Sequence, residues 1–163
     1  MDEPTLTAVI EIPGGSRNKY ELDPETGEIF LDRMLFTATR YPADYGFIEG
    51  TLGGDGDALD ALVFVGEPTF PGCRIQVRAV GMFVMRDEKG MDEKILCVPL
   101  RDPAWSHVED LSDLLPPLLA EIEHFFSVYK DLEDHKTETD GFRDREQALA
   151  TIAEARERAA AKA

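Results

Sequence analysis

An α+β fold with a barrel-like sheet is what this sequence predicts, and three features carry the expectation. Short apolar, β-branched runs follow one another between Leu6 and Val98, each stopped by a turn rich in Gly or Pro. Two stretches of helical periodicity then end the chain. No internal repeat or low-complexity linker divides it, so residues 1–163 read as a single domain with room for a sizeable core.

Taken in order, Leu6 to Ile12 forms the first strand and Pro13-Gly14-Gly15 ends it. Glu11 interrupts that apolar run, and a charge there belongs either at a water-facing edge or beside a cation. Lys19-Tyr20-Glu21-Leu22 alternates, which puts Lys19 and Glu21 on one strand face. Asp23-Pro24-Glu25-Thr26-Gly27 turns the chain into Ile29-Phe30-Leu31, the second strand of a hairpin that also carries Arg33. Tyr41-Pro42-Ala43-Asp44-Tyr45-Gly46 reads as a loop whose tyrosines either pack or offer hydroxyls to a ligand. Ala61 to Val65 is a short buried strand, and Ile75 to Met85 a long one with a bend or bulge at Gly81. Asp87 and Asp92 flank the neck of the next hairpin, which continues into Ile95 to Val98. These two carboxylates are placed to share an ion, although a charged hairpin tip requires no such role. Pro116-Pro117 opens a helix with Leu118, Ile122, Phe125 and Tyr129 on one stripe, Leu119 and Phe126 beside them, and Lys130 at its end. His124 next to that stripe reads as a structural histidine, and residues 133–141 as polar and turn-rich. Asp144 with Gln147 resembles a capping box for a last helix over about 144–161, with Ala148, Ile152, Ala155 and Ala159 on one face.

Composition narrows the function. Thirty-three acidic against 17 basic residues give a formal charge of −16, which repels nucleic acid and anionic membranes. No run of about 18 apolar residues is present to span a bilayer. Met1-Asp2-Glu3-Pro4 lacks the basic start and apolar core of a secretory signal, so the expected compartment is the cytoplasm. Cys73 and Cys97 stand far apart in apolar contexts and read as buried free thiols, not as a disulfide or a zinc pair.

The stretch with the most chemistry is Gly53-Gly54-Asp55-Gly56-Asp57-Ala58-Leu59-Asp60. Its glycines let three carboxylates converge instead of spreading along a strand. Converging carboxylates repel unless cations lie between them, and oxygen-only ligation suits a hard ion such as Mg²⁺, Mn²⁺ or Ca²⁺. An ordinary solvated turn uses the same residue types. An EF-hand is excluded by counting: from Asp55, the fifth, sixth and twelfth positions hold Leu59, Asp60 and Gly66, where an oxygen ligand, Gly and Glu are required.

Beside this loop stand Glu11, Glu21, Asp87 and Asp92, the cations Lys19, Arg33, Lys94 and Lys130, and the tyrosines Tyr41, Tyr45 and Tyr129. Carboxylates for metals, with cations and hydroxyls for an anion, are what metal-assisted phosphoryl transfer to water needs. In Ile10-Glu11-Ile12-Pro13, Lys19-Tyr20-Glu21, Asp32-Arg33, Tyr41-Pro42 through Tyr45-Gly46, Asp55-Gly56-Asp57 with Asp60, Asp87 through Lys94, and His124-Phe125-Phe126 through Tyr129-Lys130-Asp131, the chain resembles the family I soluble inorganic pyrophosphatases.

That resemblance implies an OB-like five-stranded β-barrel with helices packed outside. It also implies Mg²⁺-dependent hydrolysis of pyrophosphate to two phosphates with several ions per site, Mn²⁺ being a possible substitute. Carried over by motif, Asp55, Asp60 and Asp92 hold the tighter metal, Asp60 also reaching the second. Asp87 and Asp92 serve an ion that arrives with substrate, and Glu11 lies near a further one. Asp57 is the proton acceptor for the attacking water. Lys19, Arg33, Tyr129 and Lys130 grip the phosphates, Lys94 supports the metal-phosphate cluster, and Tyr45, Glu21 and Tyr41 belong to the surrounding network. The resemblance further implies a homohexamer. A metal-dependent nucleotide phosphohydrolase is the alternative enzyme, and it lacks an evident base-binding segment here. An OB-type strand-binding module would need basic residues interleaved with aromatics, against the net charge. Two departures stand out: Ala58 replaces the proline usual after the loop's second Asp, and the segment from Asp134 onward lacks the family's Trp-containing pattern.

Overall fold

The computed structural model describes residues 5–130, 132–133 and 137–163; the signal-peptide reading of residues 1–4 and the family-matched Asp131 lie outside these. Five strands close into a ring. β1 (Leu6–Ile12) pairs antiparallel with β4 (Asp44–Ile48), and β4 pairs antiparallel with β5 (Asp60–Val63). β5 runs parallel to β7 (Gly90–Pro99), β7 pairs with β6 (Arg74–Asp87), and β6 returns to β1. This ring is the expected OB-like barrel. Apart from it, β2 (Asn18–Leu22) and β3 (Ile29–Met34) form a two-stranded hairpin.

β6 serves two partners along one edge. Its first part pairs with β1 up to Val77, and from Met82 it pairs with β8 (Glu138–Arg143). The register shifts between Ala79 and Gly81, where the sequence calls for a bulge. A Cβ on Gly81 would come within 3.1 Å of both the Arg143 carbonyl and Leu111 Cδ1.

The sheet is buried on both faces, which is why its strands read as continuous apolar runs. Ala61, Val63, Ile95 and Cys97 join Ala148, Ile152 and Ala155 of α2 (Arg145–Lys162) in one cluster. The intervening Leu62, Phe64, Leu96 and Val98 join Ile122, Phe125 and Phe126 of α1 (Pro116–Val128) in the other. Asp144 caps α2 by accepting the Gln147 N–H at 3.0 Å.

Several expectations need correcting. The segment Tyr41 to Gly46 is loop only as far as Ala43, because Asp44 already opens β4. The turn-rich reading of 133–141 misses β8, which starts at Glu138. His124 is exposed and not a packed structural histidine, and Cys73 is half-buried where Cys97 is fully enclosed. Glu11 lies at the register shift between Ile10 and Ile12, beyond the Leu6–Val9 stretch that pairs with β6, and its half-buried carboxylate faces the hairpin.

Asp44 explains how a charged residue can start a central strand. It is fully buried, yet its carboxylate accepts the Gly14 N–H at 2.8 Å, the Thr69 N–H at 3.0 Å and the Thr69 hydroxyl at 2.5 Å. Asp44→Ala leaves those donors without an acceptor inside the protein. It is expected to lower stability by about 3 kcal/mol, read from the urea midpoint at constant m-value. A loss below about 1 kcal/mol would mean that water replaces the carboxylate there.

Candidate active site

The sheet register brings the acidic residues together. Asp60 opens β5 directly opposite Lys94 of the parallel β7, and Asp92 sits two residues before Lys94 on the same strand face. Lys94 Nζ donates to Asp60 Oδ2 at 3.0 Å, Asp92 Oδ2 at 3.0 Å and the Tyr45 hydroxyl at 2.7 Å. All three ammonium protons are thus committed, in a residue only 1% exposed. Its Nζ also lies 5.0 Å from the Tyr45 ring centre and 4.8 Å from that of Phe126.

The acidic loop builds its own shape. Gly53 donates its N–H to the Asp57 carbonyl at 2.6 Å, and Asp55 Oδ1 accepts the Asp57 N–H at 3.0 Å. Gly56 stands between them at φ 93°, a conformation that favours glycine. The base is closed by buried Thr51, whose hydroxyl donates to the Ile48 carbonyl and accepts from the Leu59 N–H. Ala58 keeps a negative φ, and it lines the site without offering a ligand.

Around the loop opens a cleft of about 520 Å³. Glu11, Lys19, Glu21, Tyr41, Tyr45, Asp55, Asp57, Asp60, Asp87, Asp92, Lys94, Tyr129 and Lys130 all line it. Arg33 alone of the candidates does not. Its Nε donates to Glu133 Oε1 at 2.7 Å, and Nη1 to Asp32 Oδ2 at 2.7 Å. Lys19 is paired with Glu21 at 2.8 Å and Asp32 at 3.4 Å. Glu11 accepts the Leu22 N–H at 2.8 Å, which joins the barrel to the hairpin. Tyr129 is buried against Phe125 and Phe126, and Lys130 Nζ lies 5.2 Å from its ring centre. The sequence reading missed Lys89 and Tyr20 on the cleft wall and Glu133 as the holder of Arg33. Lys89 carried a signal, its place at the charged hairpin tip; Glu133 carried none.

Charge crowding shows in the proton affinities. Burial, reinforced by Asp92 and opposed by Lys94, pushes the Asp60 carboxyl up to about 6. Burial also acts to raise Asp92, but Lys94 and a hydrogen bond from Asp60 hold it below the ordinary carboxylate value. Glu11 is raised by burial, with Asp60 and Glu21 adding to it against the Leu22 N–H. Burial lifts the Tyr41 and Tyr45 hydroxyls far above the usual range. For Lys94, burial acts to lower the affinity and is overcome by Asp60, Tyr45 and Asp92, so its charge is secure.

These donors fit a hard divalent ion. Asp55, Asp60 and Asp92 line a common pocket of about 10 Å³, room for one water-sized occupant. Two carboxylates that already converge on an ammonium offer the oxygen-only environment such an ion takes. Among the described residues no three acidic, His or Cys side chains meet at a single point. Asp55 accepts the Asp57 N–H through Oδ1, and its second oxygen is the one left to complete a three-carboxylate set.

Comparison with known proteins is consistent with this geometry. A family model described as inorganic pyrophosphatase matches residues 8–160. The chain is 62% identical over 128 residues to an inorganic pyrophosphatase of Streptomyces coelicolor, covering 78% of each chain. It is 55% identical over 150 residues to one of Methanosarcina mazei, covering 92% of this chain and 89% of the relative. Its structure is similar to that of the inorganic pyrophosphatase of Thermus thermophilus, with a TM-score of 0.94 at 43% identity over 98% of this chain and 95% of the other. The Helicobacter pylori enzyme compares equally, with a TM-score of 0.94 at 42% identity over the same shares of the two chains.

Proposed function

The chain belongs to the inorganic pyrophosphatase family, and we propose that its cleft hydrolyses pyrophosphate to two orthophosphates with Asp57 accepting the proton of the attacking water. Family I enzymes are metal-dependent, and Mg²⁺ is the proposed ion, held by Asp55, Asp60 and Asp92 with Asp87 and Glu11 serving further ions. Bound there, it supplies Lewis acidity towards the phosphoryl oxygens and makes the water acidic enough to lose a proton near neutral pH.

The protein's own side chains do the rest. Asp57 is exposed at the loop tip, and among the described residues no protein donor engages its carboxylate, so it is free to take a proton. Lys19, Tyr129 and Lys130 face the cleft and grip the phosphates. Arg33 joins them by exchanging one of its carboxylate partners for a phosphate oxygen, since its guanidinium is held at the edge by Glu133 and Asp32. Lys94 stays between Asp60 and Asp92, fixing the distance at which the two carboxylates stand. The observation that carries this reading is the meeting of the loop aspartates, Asp92 and Lys94 on one cleft wall.

Phosphate release should be rapid from pyrophosphate with Mg²⁺, absent without it, and far slower from ATP and tripolyphosphate. Comparable Mg²⁺-dependent rates on ATP would move the assignment to a nucleotide phosphohydrolase, for which the comparisons give no support.

A homohexamer in the cytoplasm completes the proposal. Among the described residues no helix is long and apolar enough to cross a membrane. Phe30, Leu31, Met34 and Phe36 project from or beside the β2–β3 hairpin at 50–59% exposure, an apolar surface that assembly would cover. Light-scattering mass in solution should be six times the 18.2 kDa of the chain, and a monomer would end the assembly proposal.

A further inference from the structure

We propose that α2 is a brace setting the spacing of the two acid-bearing segments, with Arg158 and Thr151 as positioning residues; this rests on the reading that Asp55, Asp60 and Asp92 hold the metal. Leu52 immediately precedes the glycine-rich loop, so its backbone fixes the point from which the loop departs. Both of its backbone polar groups go to α2. Its N–H donates to the Ala155 carbonyl at 3.0 Å, and its carbonyl accepts from Arg158 Nη1 at 2.6 Å.

The same helix reaches the other side of the small acidic pocket. Thr151, one turn before Ala155, donates its hydroxyl to Glu93 Oε2 at 3.3 Å. Glu93 lies between Asp92 and Lys94 in β7 and lines that pocket together with Asp55, Asp60 and Asp92. One rigid element therefore touches the segment that leads to Asp55 and the strand that carries Asp92.

Thr51 closes the loop's base against Ile48 and Leu59, and α2 adds a second hold at Leu52. Gly53, Gly54 and Gly56 impose little conformational preference. The bonds from Gly53 to Asp57 and from Asp57 to Asp55 shape the loop internally without fixing where it sits. α2 is well placed to do so, being anchored by buried Ala148, Ile152 and Ala155 and by Arg156, which donates to the Thr5 carbonyl at 2.9 Å. Holding the ligands near their bound spacing lowers the ordering cost of taking up the ion. The C-terminal helix is on this account a part of the metal site's support.

The experiment is Mg²⁺ titration by calorimetry on the full-length apo protein, with amide hydrogen exchange of the loop, for Arg158→Met, Arg158→Lys, Thr151→Val and Asp60→Asn. Arg158→Met should raise the Mg²⁺ dissociation constant about tenfold and speed exchange of the Gly53 and Asp57 amides. Turnover at saturating Mg²⁺ and the melting temperature should stay near wild type. Arg158→Lys should recover most of the affinity, and Thr151→Val should weaken it less than Arg158→Met. Unchanged affinity and exchange in Arg158→Met, with Mg²⁺ binding lost in Asp60→Asn, overturns the brace while leaving the metal reading intact. Normal Mg²⁺ binding by Asp60→Asn removes the metal reading and the brace with it.

Discussion

Asp57→Asn should cut turnover by about two to four orders of magnitude, the usual worth of a positioned general base, while Mg²⁺ binds nearly as before. The expectation follows from how the loop holds this residue. Its N–H goes to Asp55 Oδ1 and its carbonyl receives the Gly53 N–H, so the backbone bonds that shape the loop survive the substitution. What changes is the exposed side chain, where an amide cannot accept a proton from water. Loss of one negative charge among several also relieves repulsion, so the apo protein should be as stable as the parent or slightly more so. Asp60→Asn should behave differently. It removes one of the two carboxylates that converge on Lys94 and a ligand of the proposed ion, so metal affinity and activity should fall together. Steady-state kinetics across a Mg²⁺ series distinguishes the two. A defect in Asp57→Asn that vanishes as Mg²⁺ rises would make Asp57 an ordinary ligand.

The contrast between these two aspartates shows what could be read in the sequence. Residue types and local spacing were enough for the loop, the long bulged β6, the β6–β7 hairpin and both helices, because each rests on short-range periodicity or turn chemistry. Most of the cleft's charged residues were legible too, although Arg33 stands off the wall and Lys89 and Tyr20 were missed. The pairwise arrangement was not. Lys94 reaches Asp60 across 34 residues and Arg33 reaches Glu133 across 100, and no local pattern encodes either meeting. β8 was missed because Glu-Thr-Asp-Gly-Phe-Arg is polar and contains Gly141 at φ 85°; its pairing is supplied by the second half of β6, which β1 leaves unpaired. β4 was missed because Asp and Gly are depleted in strands. Both are required in β4 by neighbours from elsewhere in the chain: Asp44 by the amides of Gly14 and Thr69, and Gly46 by β1.

Gly46→Ala should therefore be the most damaging single substitution for the fold. Gly46 pairs with Ile10 in the β1–β4 ladder and with Ala61 on its other side. A Cβ there would lie 1.8 Å from the Val9 carbonyl oxygen, 2.8 Å from its carbon and 2.9 Å from Ile10 Cα. These are backbone atoms and cannot rotate away. β1 cannot retreat either, because its other edge is bonded to β6 and the ring is closed. The methyl group must then separate β1 from β4, at an expected cost of about 3–5 kcal/mol. Against a total stability of about 5–15 kcal/mol for a domain of this kind, that loss should produce a much lower urea midpoint and poorly soluble protein. Activity should fall with it, since β4 carries Tyr45, which holds Lys94, and β1 carries Glu11. Gly66→Ala is the matched control. Its added Cβ meets nothing within 4 Å and its φ is not left-handed. That change should be neutral or stabilising by about 0.5 kcal/mol. Equal unfolding midpoints for the two variants would show that β1 and β4 part more easily at Val9 than a closed ring permits.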